Sequence, residues 1–425
     1  MSARRLALPC SLLFLLLLSA MPLRAQTTAI RAGHLIDPAT GGVSANQIIL
    51  VKDGKIAAVG ATVEVPKGAT VVDLSGSWVL PGLMDAHAHI TFGQGPPLSI
   101  EATYLAEGSA MRVLRGLRYA RMLLEAGFTT IRDAGNEANY ASIDLRRAIE
   151  RGWFPGPTIV TMGKIIAPFG GQSHLVPPEM GPFWHFEYID ADTPDEVRKA
   201  VRRNIFYGAQ AIKMVCDNNA YHCSVEEVAA AAREAHGAGL PVSVHVMGGE
   251  AARNVILGGA DSIEHGFELS DELLQMMKDK GMVLVSTDFP YEHLAATFAP
   301  GNAYGIDPKK MSAAIVDRLK RAQRIGVRLA FGTDTVVDLP GRTRGDMMLD
   351  YLDVWASAGI TPSATLKAMT TTSAELLRVQ DARGAIAVGR AADIIATPEN
   401  PLERIQALRK VHFVMKEGQV IRGPK

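Results

Sequence analysis

The amino-acid sequence predicts an α/β fold: a closed (β/α)8 barrel of the TIM type, joined to a small β-sandwich that both ends of the chain build. From residue 81 to residue 384, short apolar strands alternate with amphipathic helices, which is the pattern of a parallel sheet. Residues 26–80 and 385–425 instead contain short strands joined by turns. No glycine-rich phosphate loop follows a strand, which disfavours an open doubly wound sheet and favours the closed barrel.

The first 25 residues have a separate character. Arg4 and Arg5 precede an apolar run from Leu6 to Leu18, and small residues follow it. This order is typical of a secretory signal peptide, and the run is short and wrongly flanked for a transmembrane helix. We therefore expect residues 1–25 to be removed from an exported protein, either periplasmic or secreted. An uncleaved membrane anchor is the alternative.

Composition narrows the range of partners. The chain has 425 residues, of which 48% are hydrophobic and 21% charged, as is ordinary for a folded globular protein. Loss of the three arginines in the signal segment leaves 41 of its 44 basic residues against 44 acidic ones. The mature protein thus has a slightly negative net charge and lacks the excess of basic residues that is typical of proteins that bind nucleic acid or anionic lipid. We expect a small-molecule or dipeptide substrate, no membrane contact after signal cleavage, and a homo-oligomer.

Two cysteines lie outside the signal segment, Cys216 and Cys223. Their spacing lets a short loop close as a disulfide, which an oxidising compartment would favour. Cys216 is also predicted to end a buried strand, so two free thiols are an equal alternative.

The strands of the predicted sandwich come from both chain ends. The N-terminal ones are TAIRAGHLID, QIILVKDGKIAAVG and ATVVDLSGSWVL, with a hairpin turn at Asp53-Gly54. The C-terminal ones are ADIIATP and VHFVMKEGQVIRG, with a turn at Glu417-Gly418. Because both terminal segments show the same pattern of short strands joined by turns, we predict that they form one small domain together.

Strand and helix signals follow one another through the barrel region. In chain order the segments are GFTTIRDAG, GPTIVTMGKII, DEVRKAVRRNIFYG, AQAIKMV, SVEEVAAAAREAHGAG, LPVSVHVMG, EAARNVILGG, ADSIEHG, DELLQMMKDKG, MVLVSTDF, a helix around residues 311–325, and VRLAFGTD. The active site of such a barrel lies at the carboxyl ends of its strands. The residues that end each strand are therefore the candidates for function.

Metal-compatible side chains occur at the ends of several of these strands. They are His87, His89, His245, His265 and Asp334, accompanied by Lys213. Alternation along a strand sends His87 and His89 to the same side, and imidazole with carboxylate suits zinc or a similar divalent ion. Each residue alone has a plainer interpretation, as a hydrogen-bonded core residue or a loop cap. Their coincidence at the ends of separate strands favours a metal site.

Lys213 does not fit its surroundings. It lies in the apolar strand AQAIKMV, where burying an unpaired ammonium would cost roughly several kcal/mol. Its presence there therefore requires a partner or a change of charge.

These residues resemble those of the amidohydrolase superfamily over nearly the whole mature chain. The order HxH, Lys, His, His, Asp, preceded by LPGLMDAHAH and followed by GTD, carries the resemblance. The segments GFTTIRDAG, GPTIVT, GAQAIKM, GAIAVGRAADIIA and VHFVMKEGQVI are similar to the prolidase-like branch. That branch includes Xaa-Pro dipeptidases, lysine/arginine carboxypeptidases and amidases that cleave ochratoxin A.

The resemblance implies a two-metal centre with divided ligands. His87, His89 and Asp334 would hold one zinc, His245 and His265 would hold the other, and Lys213 would bridge them as a carbamate formed with carbon dioxide. Burial favours the neutral lysine amine that this reaction needs. A metal-bridging hydroxide would attack the substrate carbonyl, with Asp334 and Lys213 as the catalytic residues and Asp334 moving the proton.

The expected activity is hydrolysis of a C–N amide bond. The resemblance implies a metallopeptidase (dipeptidase or carboxypeptidase) or an amidase of N-acyl amino acids, with ochratoxin A hydrolysis as one example. An imidazolonepropionase-like cyclic amide hydrolase or deaminase is a rival, although such relatives usually hold one metal and lack the bridging lysine. A non-catalytic exported protein that binds metal or solute is a rival of another class.

Several loops depart from the pattern of the branch. FGGQSHLVP replaces a GGH tripeptide and displaces His174 by two positions, LPGRTRGD stands where relatives often have PHG, and the loop after Lys213 is shorter. Arginine can hold a carboxylate bidentately, and tyrosine can donate to a carboxylate or an oxyanion. The candidates for substrate binding are His174, Tyr221, Tyr291, Arg342 and Arg344. A solvated loop is the alternative for each of them.

Overall fold

The computed structural model describes residues 27–93, 106–135, 139–172, 177–217, 221–298 and 305–423. The predicted signal segment, residues 1–25, lies outside these ranges. Among the described residues, no helix is long and apolar enough to cross a membrane.

Seventeen strands lie in the described part of the chain. In chain order they are β1 (Thr28–Asp37), β2 (Gly42–Lys52), β3 (Lys55–Gly60), β4 (Thr70–Pro81), β5 (Leu83–Ala88), β6 (Phe128–Asp133), β7 (Thr158–Thr161), β8 (Ile165–Ala167), β9 (Tyr188–Asp190), β10 (Ile212–Val215), β11 (Val242–Gly248), β12 (Ser262–Glu268), β13 (Val283–Thr287), β14 (Arg328–Gly332), β15 (Ile394–Thr397), β16 (Phe413–Lys416) and β17 (Gln419–Arg422).

Helices alternate with the central strands. They are α1 (Ser109–Glu125), α2 (Ala141–Glu150), α3 (Pro194–Tyr207), α4 (Val225–Gly237), α5 (Gly249–Gly258), α6 (Asp271–Asp279), α7 (Tyr291–Thr297), α8 (Pro308–Ile325), α9 (Arg344–Ser357), α10 (Pro362–Lys367) and α11 (Ser373–Leu376). Two of them begin with reciprocal capping boxes, at Ser224 and at Thr343. Such a cap satisfies two backbone donors that the first turn would leave without partners.

The two chain ends meet in one sheet, as the sequence predicts. Its seven strands lie in the order β17-β16-β15-β4-β1-β2-β3. These strands form one continuous ladder, because β4 pairs with β1 on one side and with β15 on the other. This central strand joins both ends of the chain, with Ile30, Ile394 and Phe413 in the core of the sheet. The two outer parts of the sheet come together where the turn at Gly54 lies against the turn at Glu417-Gly418, and Ala392 N donates to Gly54 O at 2.9 Å.

The central strands form parallel sheets flanked by helices, so the predicted α/β class is confirmed. Backbone pairing groups them as β14-β13-β12-β11-β10-β8-β9 and as β5-β6-β7, and among the described strands this pairing does not close into one barrel. β8 takes the place beside β10, which separates β7 from it. Single hydrogen bonds still connect the two sheets, from Gln210 N to Thr161 O at 2.7 Å and from Asp334 N to His87 O at 2.7 Å.

The end of β14 lies against β5 with little space between them. A Cβ atom on Gly332 would lie 2.8 Å from the Cβ of His87, so only glycine fits at this approach. β14 ends at Gly332, and two residues later Asp334 adopts a φ of 50°. The chain thereby places Asp334 beside the end of the first barrel strand.

Candidate metal centre

The ends of β5 and β14 bring two histidines to one carboxylate. His87 is buried and His89 is 13% exposed, and their rings lie 5.3 Å apart between centroids. The Nε2 atoms of His87 and His89 lie 3.8 Å and 3.1 Å from Asp334 Oδ1. The geometry expected from strand alternation is therefore present.

Two further strands extend the cluster. The ring of His265, at the end of β12, lies 4.9 Å from that of His87 and 4.4 Å from that of His245, at the end of β11. Candidate ligand atoms of His87, His265 and Asp334 all lie within 4.8 Å of one another. His265 and Asp334 both have positive φ values, 66° and 50°, which few non-glycine residues adopt and which often mark functional sites.

Buried partners fix the outer nitrogens of two of these rings. His87 Nδ1 lies 2.6 Å from Glu264 Oε2, and His265 Nδ1 lies 2.7 Å from Thr287 Oγ1. Because a carboxylate only accepts, Nδ1 of His87 carries the proton and its Nε2 lone pair faces Asp334. Partners of this kind orient the histidine ligands of metal ions.

Glu264 belongs to a fully buried charge network beneath the site. Arg132 donates to Glu264 Oε1 at 2.7 Å, and neither side chain is exposed. Ser262 Oγ donates to the same oxygen at 2.8 Å, and Arg132 also bonds Ser243 Oγ and the carbonyl of Ala86. Sequence reasoning missed these supports, although a charged residue inside each of the apolar segments GFTTIRDAG and ADSIEHG was a signal for them.

The three buried histidines are neutral at pH 7. Burial lowers the pKa of His245 to about 3 and that of His87 and His265 well below the ordinary value. Lys213, when protonated, adds to this effect at all three rings. Neutral imidazole is the form that binds a metal ion, so the site is prepared for ligation.

Lys213 lies among these histidines, as the sequence predicts. It is 2% exposed in β10, where it pairs in register with Ser243 of β11. Two residues farther along the same pair of strands, Val215 lies opposite His245, and the charge of a protonated Lys213 acts on His87, His245 and His265. The structure thus brings together all six residues that the sequence nominated for metal binding, while their ligation of a metal stays a prediction.

Asp85 is a further buried acid that sequence reasoning missed. Its Oδ1 accepts from His87 N at 2.8 Å and from Thr333 N at 3.3 Å, which ties the ends of β5 and β14 together. Burial raises the pKa of Asp85 to about 7. The signal was an aspartate two residues before His87 within an apolar strand.

The predicted substrate-binding residues have diverse surroundings. His174 lies outside the described residues. Tyr221 and Tyr291 are about half exposed, at 49% and 46%, and the hydroxyl of Tyr221 donates to Phe169 O at 2.9 Å. Arg342 and Arg344 are described below. For all of these residues, contact with a substrate stays a prediction.

Both arginines of the loop after β14 have protein partners. Arg342 Nη2 contacts both oxygens of Asp350 at 2.9 Å and 2.8 Å. Arg344 is buried, donates to the carbonyl of Thr335, and bonds Asp338 Oδ1 at 3.0 Å. Arg342 is thus paired with the following helix, α9, and Arg344 with the loop after β14.

The loop after β10 is closed by a disulfide between Cys216 and Cys223, one of the two alternatives left open by the sequence. Both cysteines are buried, and Cys216 N donates to His245 O at 3.1 Å. This bond holds the beginning of the loop beside the histidine of β11.

We predict that Glu264→Gln weakens metal binding by about 10- to 100-fold, because His87 loses the negative charge that orients its ring. The free energy of unfolding should also fall by about 3–5 kcal/mol, because Arg132 stays buried without its counter-charge. Chelator competition and urea unfolding measure the two effects. The control is Glu272→Gln, an exposed acid on α6, and equal metal affinity in both variants would contradict the role given to Glu264.

Comparison with known proteins identifies the class. The sequence profile of the amidohydrolase family matches residues 78–421. Ochratoxinase from Aspergillus niger is 30% identical over 441 aligned residues, which cover 94% of this chain and 88% of that protein. A crystal structure of a Xaa-Pro dipeptidase with methionine bound in its active site has a TM-score of 0.81 at 28% identity and covers 94% of this chain and 100% of that one. The crystal structure of A. niger ochratoxinase has a TM-score of 0.79 at 27% identity, covering 94% and 96%.

The fold, with histidines and an aspartate clustered at the ends of parallel strands, and the similarity to known hydrolases together place this protein among the hydrolases. The chain belongs to the amidohydrolase family. Within that family it falls in the branch that contains prolidase-like enzymes and ochratoxinase.

Proposed function

We propose that this protein is an exported hydrolase of C–N amide bonds that uses two divalent metal ions, most simply zinc. His87, His89 and Asp334 would hold one ion, His245 and His265 the other, and Lys213 would bridge them as a carbamate. The observation that carries the proposal is a buried lysine among three neutral histidines. A lysine ammonium there would repel a protonated histidine or a bound metal ion. A carbamate between two metal ions is instead attracted by both.

The donor set fits such ions. Imidazole nitrogens and a carboxylate converge from separate strand ends, and Glu264 and Thr287 hold the outer nitrogens of His87 and His265. This arrangement is the one expected for a zinc centre with partners behind its ligands. When bound, the ions supply Lewis acidity and lower the pKa of water toward about 7.

Asp334 is the residue best suited to proton transfer. Its side chain is 18% exposed, so that a substrate can reach it, while its Oδ1 stays 3.1 Å from His89 Nε2. In the proposed reaction the Asp334 carboxylate accepts a proton from the attacking water and returns it to the departing amine nitrogen. One C–N bond breaks, one C–O bond forms, and the aspartate is regenerated.

Two of the relatives support an amide of an amino acid as the substrate. A Xaa-Pro dipeptidase and an ochratoxinase are among the similar proteins, which supports either a dipeptidase or carboxypeptidase, or an amidase of N-acyl amino acids. The imidazolonepropionase-like alternative is less favoured because such enzymes usually lack a bridging lysine, whereas this chain has Lys213. Export would agree with the disulfide between Cys216 and Cys223, which an oxidising compartment preserves.

The test is hydrolysis by the purified protein of a panel of dipeptides and N-acyl amino acids, before and after removal of metal by a chelator. We expect turnover that disappears with the metal and returns when zinc, manganese or cobalt is restored. Fewer than one bound ion per chain and no hydrolysis across the panel would favour a non-catalytic binding protein instead.

A further inference from the structure

Asp217 lies at the mouth of the candidate metal centre, four residues after Lys213. Its Oδ2 accepts a hydrogen bond from Met247 N, and the preceding amide, Cys216 N, donates to His245 O at 3.1 Å. The disulfide from Cys216 to Cys223 restrains the same loop. The Asp217 carboxylate is therefore held in place between the ends of β10 and β11.

The second oxygen of this carboxylate has no partner among the described residues. The Asp217 side chain is 7% exposed, and its Oδ1 accepts no hydrogen bond from the described residues, although the backbone amides of both Met247 and Gly248 act on the carboxylate. The ring nitrogen His245 Nε2 lies 3.7 Å away, which is too far for a hydrogen bond. A buried charged acceptor that none of the described donors satisfies is unfavourable, and its retention favours a ligand.

The charges around Asp217 favour a cation as that ligand. Burial raises the pKa of Asp217, the hydrogen bond from Met247 N and the charge of His222 lower it, and repulsion by Glu268, at the end of β12, raises it further. Glu268 is exposed and pairs in register with Gly248 beside the same opening. Two carboxylates thus flank this side of the mouth.

We propose that Asp217 binds the free α-ammonium group of the substrate residue that provides the scissile carbonyl. The site would then take peptides with an unblocked N-terminus in preference to N-acyl amino acids. In a dipeptide, the α-nitrogen lies about 2.5 Å from the carbonyl carbon. An anchor for it must lie next to the metal ligands, as Asp217 does beside His245, whereas a lysine or arginine side chain would carry its charge farther out. This inference rests on the proposed function.

The positive charge of the proposed metal ions also calls for an anion at this position. An α-ammonium so close to two cations would be repelled unless an anion lay on its other side. A carboxylate with one oxygen fixed by a backbone amide and one oxygen open is already oriented for this contact. Orientation of His245 by Asp217 is the rival role, and it predicts an effect on metal affinity.

The experiment compares two substrates that differ only in the amine. Alanyl-phenylalanine and propionyl-phenylalanine share a skeleton, and the second lacks the α-ammonium. We expect the wild-type kcat/KM to be about 10- to 100-fold higher for alanyl-phenylalanine, as a charge-assisted hydrogen bond provides. Asp217→Asn should remove most of that ratio through a higher KM for alanyl-phenylalanine, with metal content retained. Asp192→Asn, a change to an exposed carboxylate on a neighbouring loop, should keep the ratio.

Several outcomes would overturn the inference. Equal kcat/KM values for the two compounds in the wild-type protein would do so, and so would an Asp217→Asn variant that loses metal and slows both substrates alike. If neither compound is hydrolysed, the proposed function fails, and calorimetric Kd values of the same two compounds decide the inference. Tighter binding of alanyl-phenylalanine by the wild-type protein alone would support it, and equal binding would refute it.

Discussion

Replacement of Lys213 by alanine is expected to reduce amide hydrolysis by about 10³-fold or more. The side chain is buried and acts electrostatically on His87, His245 and His265, so its removal deletes the proposed bridge between the two metal subsites. The variant should bind fewer than two ions per chain. Metal analysis and initial rates on the same preparation measure both effects.

A short carboxylic acid should restore part of this activity, because its two oxygens can take the place of the carbamate in the space that alanine leaves. Formate, acetate and propionate, compared with chloride at equal ionic strength, test the rescue. Lys320→Ala, on the exposed side of α8, is the control and should behave as the wild-type protein does. Unchanged activity and metal content in Lys213→Ala would contradict the bridging role.

The second large effect is expected from Asp334→Asn, with a fall in kcat of about 10²- to 10⁴-fold, the range that a positioned general base provides. Asparagine keeps the size of the side chain, so its neighbours His87, His89 and His265 retain their space. The amide cannot accept a proton at neutral pH, and it is a weaker metal ligand than a carboxylate. Steady-state rates with saturating metal separate lost proton transfer from lost metal affinity.

The control for Asp334 is Asp346→Asn, a change to an exposed acid that caps the following helix, α9. It should leave kcat within about twofold, since surface changes of this kind alter little. A wild-type kcat in Asp334→Asn would assign the proton transfer to another residue.

The residues of the candidate centre could be predicted because strand alternation and barrel geometry are simple rules. HAH at one strand end placed both rings on one side, and Lys213, His245 and His265 each ended or lay in a separate parallel strand. Side-chain alternation and the position of strand ends follow from the backbone of each strand, and local sequence patterns are enough to predict that backbone. The α/β class could be predicted for the same reason.

Features that depend on contacts between distant segments could not be predicted. Arg132 and Glu264 are 132 residues apart in sequence, and only folding shows that they neutralise each other behind His87. The single terminal sheet depends on β4 having partners on both of its edges, β1 and β15. The contact between Arg342 Nη2 and Asp350, from the next helix, likewise joins a loop to a separate element and was not foreseen.

The proposed two-metal centre depends on a carbamate at the Nζ atom of Lys213. Its most direct test is carbon-13 NMR of the metal-loaded protein, prepared with labelled bicarbonate. We expect one additional carbonyl resonance in the wild-type protein, lost on chelation of the metal and absent from Lys213→Ala. An active wild-type protein with two bound ions and no such resonance would contradict the proposed carbamate.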